Sequence, residues 1–105
     1  VDSRKDIALV FGTIEGKNYR AMLQRLAPAC GSRFYCAPPV PNAQSPESYP
    51  TISSGEVCDS VQSALSKARA LVGSEGVVVV TGSIFLVGAA RAILLDLETD
   101  PAVSL

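Results

Sequence analysis

The distribution of apolar residues along the chain predicts two buried strands. The run Ile7–Phe11 is apolar throughout and is bounded by charged residues before it and by Gly12 after it. Residues 77–80 are four consecutive valines. Uninterrupted apolar runs of this length are typical of strands that are covered on both faces. We therefore expect both runs in a parallel sheet, with the valine run as a central strand covered above and below.

Apolar residues at helical spacing predict two helices between these strands. The apolar positions of the first are Tyr19, Met22, Leu23 and Leu26. Pro28 and Gly31 are expected to end it. The second begins at Asp59, which forms a capping-box pattern with Gln62, and ends at Gly73. Its apolar positions are Val61, Ala64, Leu65, Ala68 and Leu71.

The segment between the two predicted helices is less regular. Residues 34–36 are a second short strand candidate. Residues 38–55 contain five prolines among Asn, Ser and Gln, which predicts a Pro-rich surface loop, partly mobile, with one helical turn near Pro46-Glu47.

The last part of the chain predicts a third helix. Residues 84–95 are almost wholly apolar, with Arg91 as the one charge, and residues 96–105 are expected to be irregular or a short edge strand. The order β-α-β-loop-α-β-α favours a parallel sheet with helices on both faces. We therefore predict a three-layer, Rossmann-like α/β fold that occupies residues 1–105 as a single domain.

Composition narrows the range of functions. The chain has 105 residues and a formal net charge of −1, so no basic surplus is present to neutralise phosphates, and we expect no nucleic-acid partner. No apolar stretch reaches the roughly 18 residues that a membrane span needs, and we expect no membrane partner. Charged residues within positions 1–20 argue against a signal peptide.

Cysteine and histidine usage limits the chemistry further. Cys30, Cys36 and Cys58 form no CxxC pair, so we expect free thiols, buried or half-buried, in a reducing cytoplasm. The chain contains no histidine, which excludes Ser-His-Asp and Cys-His catalysis within it. Any chemistry would use carboxylates, lysine, hydroxyls or backbone amides, and we predict neither a catalytic residue nor a metal site.

The candidate site lies where two strands end. Ligands of parallel α/β sheets bind beyond the carboxyl ends of the strands. Thr81-Gly82-Ser83 follows the valine strand and precedes a helix, whose free amides suit a carboxylate or phosphate. The alternative is that Ser83 only caps the helix and Gly82 only makes the turn.

Two cations are further candidates. Lys17, in the loop after the first strand, could reach an anion at the same edge, or it could be a solvated residue of the first helical turn. Arg91 could serve an interface or a ligand, or it could lie at the helix surface with its stem over apolar neighbours.

Several segments resemble one enzyme family. Residues 78–88 followed by Arg91 are similar to the segment VTGSLYLVGEVR near the end of folylpolyglutamate synthase and dihydrofolate synthase. Residues 9–23 resemble the family's LVFGxxxDKDxxxML segment, residues 41–47 its NPRAxxPEEL loop, and residues 59–65 its DSVEEAL helix start. The resemblance covers nearly the whole chain in the same order.

The resemblance implies a domain of the Mur ligase C-terminal type in an ATP-dependent ligase. In such a ligase ATP phosphorylates a carboxylate of dihydropteroate or folate, and the amine of L-glutamate attacks the acyl phosphate, while Mg²⁺ offsets the phosphate charge. The resemblance also implies that this domain helps to form the cleft for ATP and for the incoming glutamate, without the phosphate-binding machinery. Carried over by position, Thr81, Gly82 and Ser83 would face that cleft, with Ser83 binding a glutamate carboxylate. Lys17 matches the lysine of the DKD motif and would assist.

The sequence also departs from the family pattern. The P-loop, the magnesium ligands and the DGAHNP segment that opens the family's domain are not in the chain. Asn18, Asn42, Phe85 and Ala89 stand where the family has Asp, Arg, Tyr and Glu. The resemblance therefore implies a partial domain that needs an upstream P-loop ATPase domain as its partner. Alone it is expected to bind neither ATP nor Mg²⁺, to catalyse no ligation, and to self-associate weakly through an exposed sheet edge.

Two other interpretations stay open at the level of the sequence. One is a non-catalytic small-molecule-binding or interaction module of the same fold. The other is an unrelated small doubly wound domain, such as a flavodoxin-like binder. The flanking gene sequence would separate the first of these from a ligase domain.

Overall fold

The computed structural model describes residues 4–98. Its strands and helices, in chain order, are β1 (Ile7–Phe11), α1 (Tyr19–Leu26), β2 (Ser32–Tyr35), β3 (Glu56–Val57), α2 (Val61–Val72), β4 (Val77–Thr81) and α3 (Ile84–Glu98). Short 3-10 turns cover Arg4–Asp6, Ala27–Ala29 and Pro46–Ser48, the last where one helical turn was predicted.

The four strands form one parallel sheet in the order β3-β2-β1-β4. Two cores lie on its two faces, because successive side chains of a strand point to opposite sides. Ala8 and Val10 of β1 pack beneath α2 and α3. Leu9 and Phe11 pack with α1 on the other face. The predicted α/β fold with helices on both faces is confirmed.

The prediction of a central valine strand was wrong. β4 lies at the edge of the sheet in the described part of the chain, and Val77 is 45% exposed. The central strand is β1, whose residues 8–11 are fully buried between β2 and β4. A run of valines shows only that a strand is apolar. The position of a strand in the sheet depends on which other strands pair with it, and those strands are distant in the sequence.

The ends of several elements also differ from prediction. The N-cap of α2 is Ser60, not Asp59, since its side chain accepts a hydrogen bond from the Ser63 amide. Leu71 is 58% exposed and lies outside the buried stripe of α2. Gly73 ends α2 as predicted, with a φ of 70°. β2 ends at Tyr35, one residue earlier than expected.

The last helix is longer than predicted. α3 continues to Glu98, so residues 96–98 are helical rather than irregular. The rest of the predicted tail, residues 99–105, lies outside the described residues. No helix within residues 4–98 is both long and apolar enough to cross a membrane.

The segment 38–55 is more than a surface loop. Its residue Tyr49 is fully buried, and the ring packs edge-on against Phe11 at a centroid distance of 5.1 Å. The segment then leads into the short strand β3, which the sequence did not reveal. This loop is therefore part of the core on the α1 face of the sheet.

Candidate functional site

The carboxyl ends of β1 and β4 meet at one edge of the sheet. Phe11 and Thr81 are partners in the parallel register of the two strands, and the Gly12 amide donates to the Thr81 carbonyl at 3.4 Å. The loops that follow the two strands therefore start side by side. This is the edge at which the sequence placed the candidate site.

Gly82 allows these two loops to pack closely. Its φ is 119°, in the region that favours glycine. A Cβ atom at this position would lie 2.3 Å from the Gly12 carbonyl oxygen. Gly82 therefore has the structural role that the sequence left open, since any side chain would push the two loops apart.

Ser83 directly precedes helix α3. It is 7% exposed, and its Oγ accepts a hydrogen bond from the Phe85 amide at 3.1 Å. The Val87 amide donates to the Ser83 carbonyl at 3.0 Å as the first hydrogen bond of the helix. Ser83 is thus a helix N-cap, and the cap uses its oxygen as an acceptor while the hydroxyl hydrogen stays able to donate.

The four residues predicted to bind glutamate, Lys17, Thr81, Gly82 and Ser83, line one cavity. Its volume is about 460 Å³, and its walls are Lys17, Met22, Thr81, Gly82, Ser83, Ile84, Val87 and Gly88. Lys17 is exposed and comes just before Asn18, the N-cap of α1. The cavity therefore lies between the start of α1 and the start of α3, and we call it the edge pocket.

The edge pocket combines polar groups with an apolar wall. One side offers the Ser83 hydroxyl, the amides of the first turn of α3 and the Lys17 ammonium group, all of which can donate to an anion. The other side is formed by Met22 and Val87. A small carboxylate with a short aliphatic part suits this arrangement.

A metal ion does not fit the described residues. Within residues 4–98, no group of three or more His, Cys, Asp or Glu side chains could hold one. Glu15, in the loop beside the edge pocket, is exposed and is not part of its wall. We therefore assign no metal and no metal-dependent step to these residues.

Tyr49 supports the loop after β1, a role that was not predicted from the sequence. Its hydroxyl accepts from the Thr13 amide at 2.9 Å and shares a second hydrogen bond with the Thr13 hydroxyl at 3.0 Å. Both residues are fully buried. The Gln44 amide donates to the Thr13 carbonyl at 2.8 Å. A large aromatic residue within a Pro-rich loop was the one available signal, because such residues bury most of their surface when they can.

The remaining candidates lie elsewhere. Arg91 is exposed on α3, as its surface alternative predicted, and it does not line the edge pocket. A larger cavity, of about 600 Å³, lies between α2, α3 and β4, and its wall includes Val78, Val80 and Leu94. It contains none of the predicted site residues and is an apolar cleft at the sheet edge. Cys30, Cys36 and Cys58 are buried free thiols, as expected.

Comparisons with known proteins find matches among solved structures. No family model matches the sequence, and the search of curated proteins found no match. Escherichia coli FolC in complex with DHPP and ADP matches with a TM-score of 0.80 and 21% identity, over 89% of this chain and 23% of that chain. Folylpolyglutamate synthase of Mycobacterium tuberculosis, complexed with ADP and AMPPCP, matches with a TM-score of 0.77 and 20% identity, over 94% of this chain and 25% of that chain.

A third structure agrees with these two. The bifunctional folylpolyglutamate synthase/dihydrofolate synthase of Yersinia pestis, complexed with AMPPNP and Mn ion, has a TM-score of 0.77 and 21% identity, over 84% of this chain and 22% of that chain. The class of the protein is thus a parallel α/β domain with a pocket at the carboxyl edge of its sheet. Within that class, the chain has the fold of a part of folylpolyglutamate synthase/dihydrofolate synthase, as the sequence resemblance predicted. It spans about a quarter of the length of these enzymes.

Proposed function

We propose that this chain is the C-terminal domain of an ATP-dependent ligase that adds L-glutamate to dihydropteroate or folate. The observation that carries the proposal is the edge pocket, where Lys17, Thr81, Gly82 and Ser83 meet in a fold shared with folylpolyglutamate synthases. The proposed role of the chain is to bind the incoming glutamate, and the acyl phosphate forms on another domain.

In the proposed role, the edge pocket holds one carboxylate of glutamate. The Ser83 hydroxyl donates to a carboxylate oxygen while its own oxygen continues to accept from Phe85. Lys17 supplies the opposite charge, and the start of α3 supplies amide donors. Met22 and Val87 contact the aliphatic part of the amino acid. Fixing the carboxylate in this way would orient the glutamate amine for attack on the acyl phosphate.

The surface beside the edge pocket carries exposed apolar side chains, which favours contact with a partner domain. Ile84 is 82% exposed, and Phe85 and Val87 are 47% and 43% exposed. Large apolar side chains clustered at this level of exposure mark an interaction surface. The proposed partner is a P-loop ATPase domain of the same polypeptide, which would supply ATP and Mg²⁺ and close over the edge pocket. The proposed compartment is the cytoplasm.

Two helix N-cap serines offer a matched test. Ser83 caps α3 beside the edge pocket, and Ser60 caps α2 outside it. In the longer ligase that the proposal requires, Ser83→Ala should raise the KM for glutamate about tenfold or more, because a hydrogen bond to a charged group contributes roughly 1.5–3 kcal/mol. Ser60→Ala should lower stability by about 1 kcal/mol and leave this KM unchanged.

The same measurement separates the proposal from its main alternative. An equal glutamate KM in both serine variants would show that Ser83 does not bind the substrate. If the coding sequence upstream contains no P-loop domain, and the pure chain still binds a small anion at the edge pocket, the chain is a binding module of this fold. ADP release by the pure chain, with a folate substrate and glutamate present, would contradict the proposal that the acyl phosphate forms on another domain.

A further inference from the structure

Two buried cysteines lie side by side at the ends of β2 and β3. These two strands are on the opposite side of the sheet from β4. The parallel register of β2 and β3 pairs Tyr35 with Val57, so the next positions in that register are Cys36 and Cys58. The Cys58 amide donates to the Tyr35 carbonyl at 2.7 Å, and the Cys36 amide donates to the Phe11 carbonyl at 3.1 Å. Hydrogen bonds of the sheet therefore hold both backbones at this register.

The two side chains point to the same face. Cys36 and Cys58 belong to the core beneath α2, together with Phe34, and they are 0% and 5% exposed. Neighbouring strands lie about 4.8 Å apart, which falls within the Cα separation of roughly 4.4–6.8 Å that disulfides span. Burial raises the pKa of Cys36 to about 12, and the proximity of Cys58 is the second cause.

We propose that Cys36 and Cys58 are an oxidative modification site, which forms an intramolecular disulfide by exchange with a small-molecule disulfide. The bond would join β2 to β3 and close residues 37–57 into a covalent loop. That loop carries Tyr49, which supports Thr13 beside the edge pocket. The inference rests on strand register and burial, and it does not depend on the proposed ligase function.

The exchange takes place in two balanced steps. Cys58, the more exposed of the pair and part of the sheet edge, loses its proton and attacks one sulfur of the reagent. The reagent's S–S bond breaks, and one half leaves as a thiolate that takes up a proton. Cys36 then loses its proton and attacks the Cys58 sulfur of the mixed disulfide, so that the second half leaves as a thiol. The two protein thiols are oxidised by two electrons, and the reagent is reduced to two thiols.

Cys30 provides an internal control. It lies in the core on the opposite face, with Leu9 and Tyr35, so the sheet separates it from the other two cysteines. The folded chain is incubated with excess oxidised glutathione, the free thiols are then alkylated, and the product is analysed by intact mass and peptide mapping. We expect a product about 2 Da lighter before alkylation, with Cys36 linked to Cys58 and Cys30 free.

Variants and an unfolded sample complete the test. Cys30→Ser should form the same bridge, and its oxidised form should melt several degrees above its reduced form. Cys36→Ser and Cys58→Ser should form no internal bridge in the folded chain. A bridge that includes Cys30, glutathione adducts without any bridge, or the same mixture from folded and urea-unfolded chain would each overturn the proposal. Three unmodified thiols in the folded chain, under conditions that oxidise the unfolded chain, would overturn it as well.

Discussion

At the scale of single residues, two glycines beside the edge pocket are expected to respond in opposite ways to the same substitution. Gly82→Ala should destabilise the chain by about 3 kcal/mol, because the φ of 119° is unfavourable for alanine and its Cβ would collide with the Gly12 carbonyl. Gly88→Ala should stabilise it by about 1 kcal/mol, because Gly88 lies within α3 and its Cβ would meet nothing within 4 Å. Urea unfolding of both variants measures the difference, and equal effects would contradict the close packing at Gly82.

The candidate site residues could be placed together from the sequence because their signal is local. The rule that ligands bind at the carboxyl ends of parallel strands places Lys17 and residues 81–83 at one edge of the sheet from the sequence alone. The sequence could not decide whether Ser83 caps a helix or donates to a ligand. The geometry shows that the cap uses only the oxygen, so both roles are compatible.

At the scale of elements, the packing of the Pro-rich loop, residues 38–55, is expected to depend on the Tyr49 hydroxyl. Tyr49→Phe should cost about 1–3 kcal/mol, because it leaves the buried Thr13 amide without its acceptor. Tyr19→Phe is the control, since the half-buried Tyr19 ring contacts the same Tyr49 ring at a centroid distance of 5.3 Å. Removal of the Tyr19 hydroxyl should change the free energy of unfolding little. Thermal unfolding compares the two variants, and an equal loss would show that Tyr49 acts through its ring alone.

The elements also show where sequence reasoning stops. β1, α1 and α2 were predicted from apolar runs and helical spacing, which are local properties. The edge position of β4, the two-residue strand β3 and the burial of Tyr49 depend on contacts between distant segments. A composition rich in proline indicated a loop correctly, but it could not show that the loop covers one face of the sheet.

At the scale of the whole molecule, the fold is expected to weaken in alkaline solution. Burial raises the pKa of Cys36 from 9.0 to about 12, and it also raises the pKa of Cys30, Cys58, Tyr35 and Tyr49. Below pH 9 both the folded and the unfolded chain keep the Cys36 proton. Above it the unfolded chain ionises first, so stability is lost as the pH rises through the folded pKa.

The urea midpoint, measured with a reducing agent present, should therefore fall between about pH 9 and about pH 12. Cys36→Ala should show a shallower fall over the same range, because one raised pKa has been removed. A midpoint that is independent of pH in this range would contradict the burial of these groups.

The central claim is that the edge pocket receives glutamate. The most direct measurement is a crystal structure, bound to L-glutamate, of the longer ligase that the proposal requires. We expect a glutamate carboxylate within about 3.2 Å of Ser83 Oγ and about 4 Å of Lys17 Nζ. Glutamate bound on another domain, with neither Ser83 nor Lys17 in contact with it, would contradict the claim.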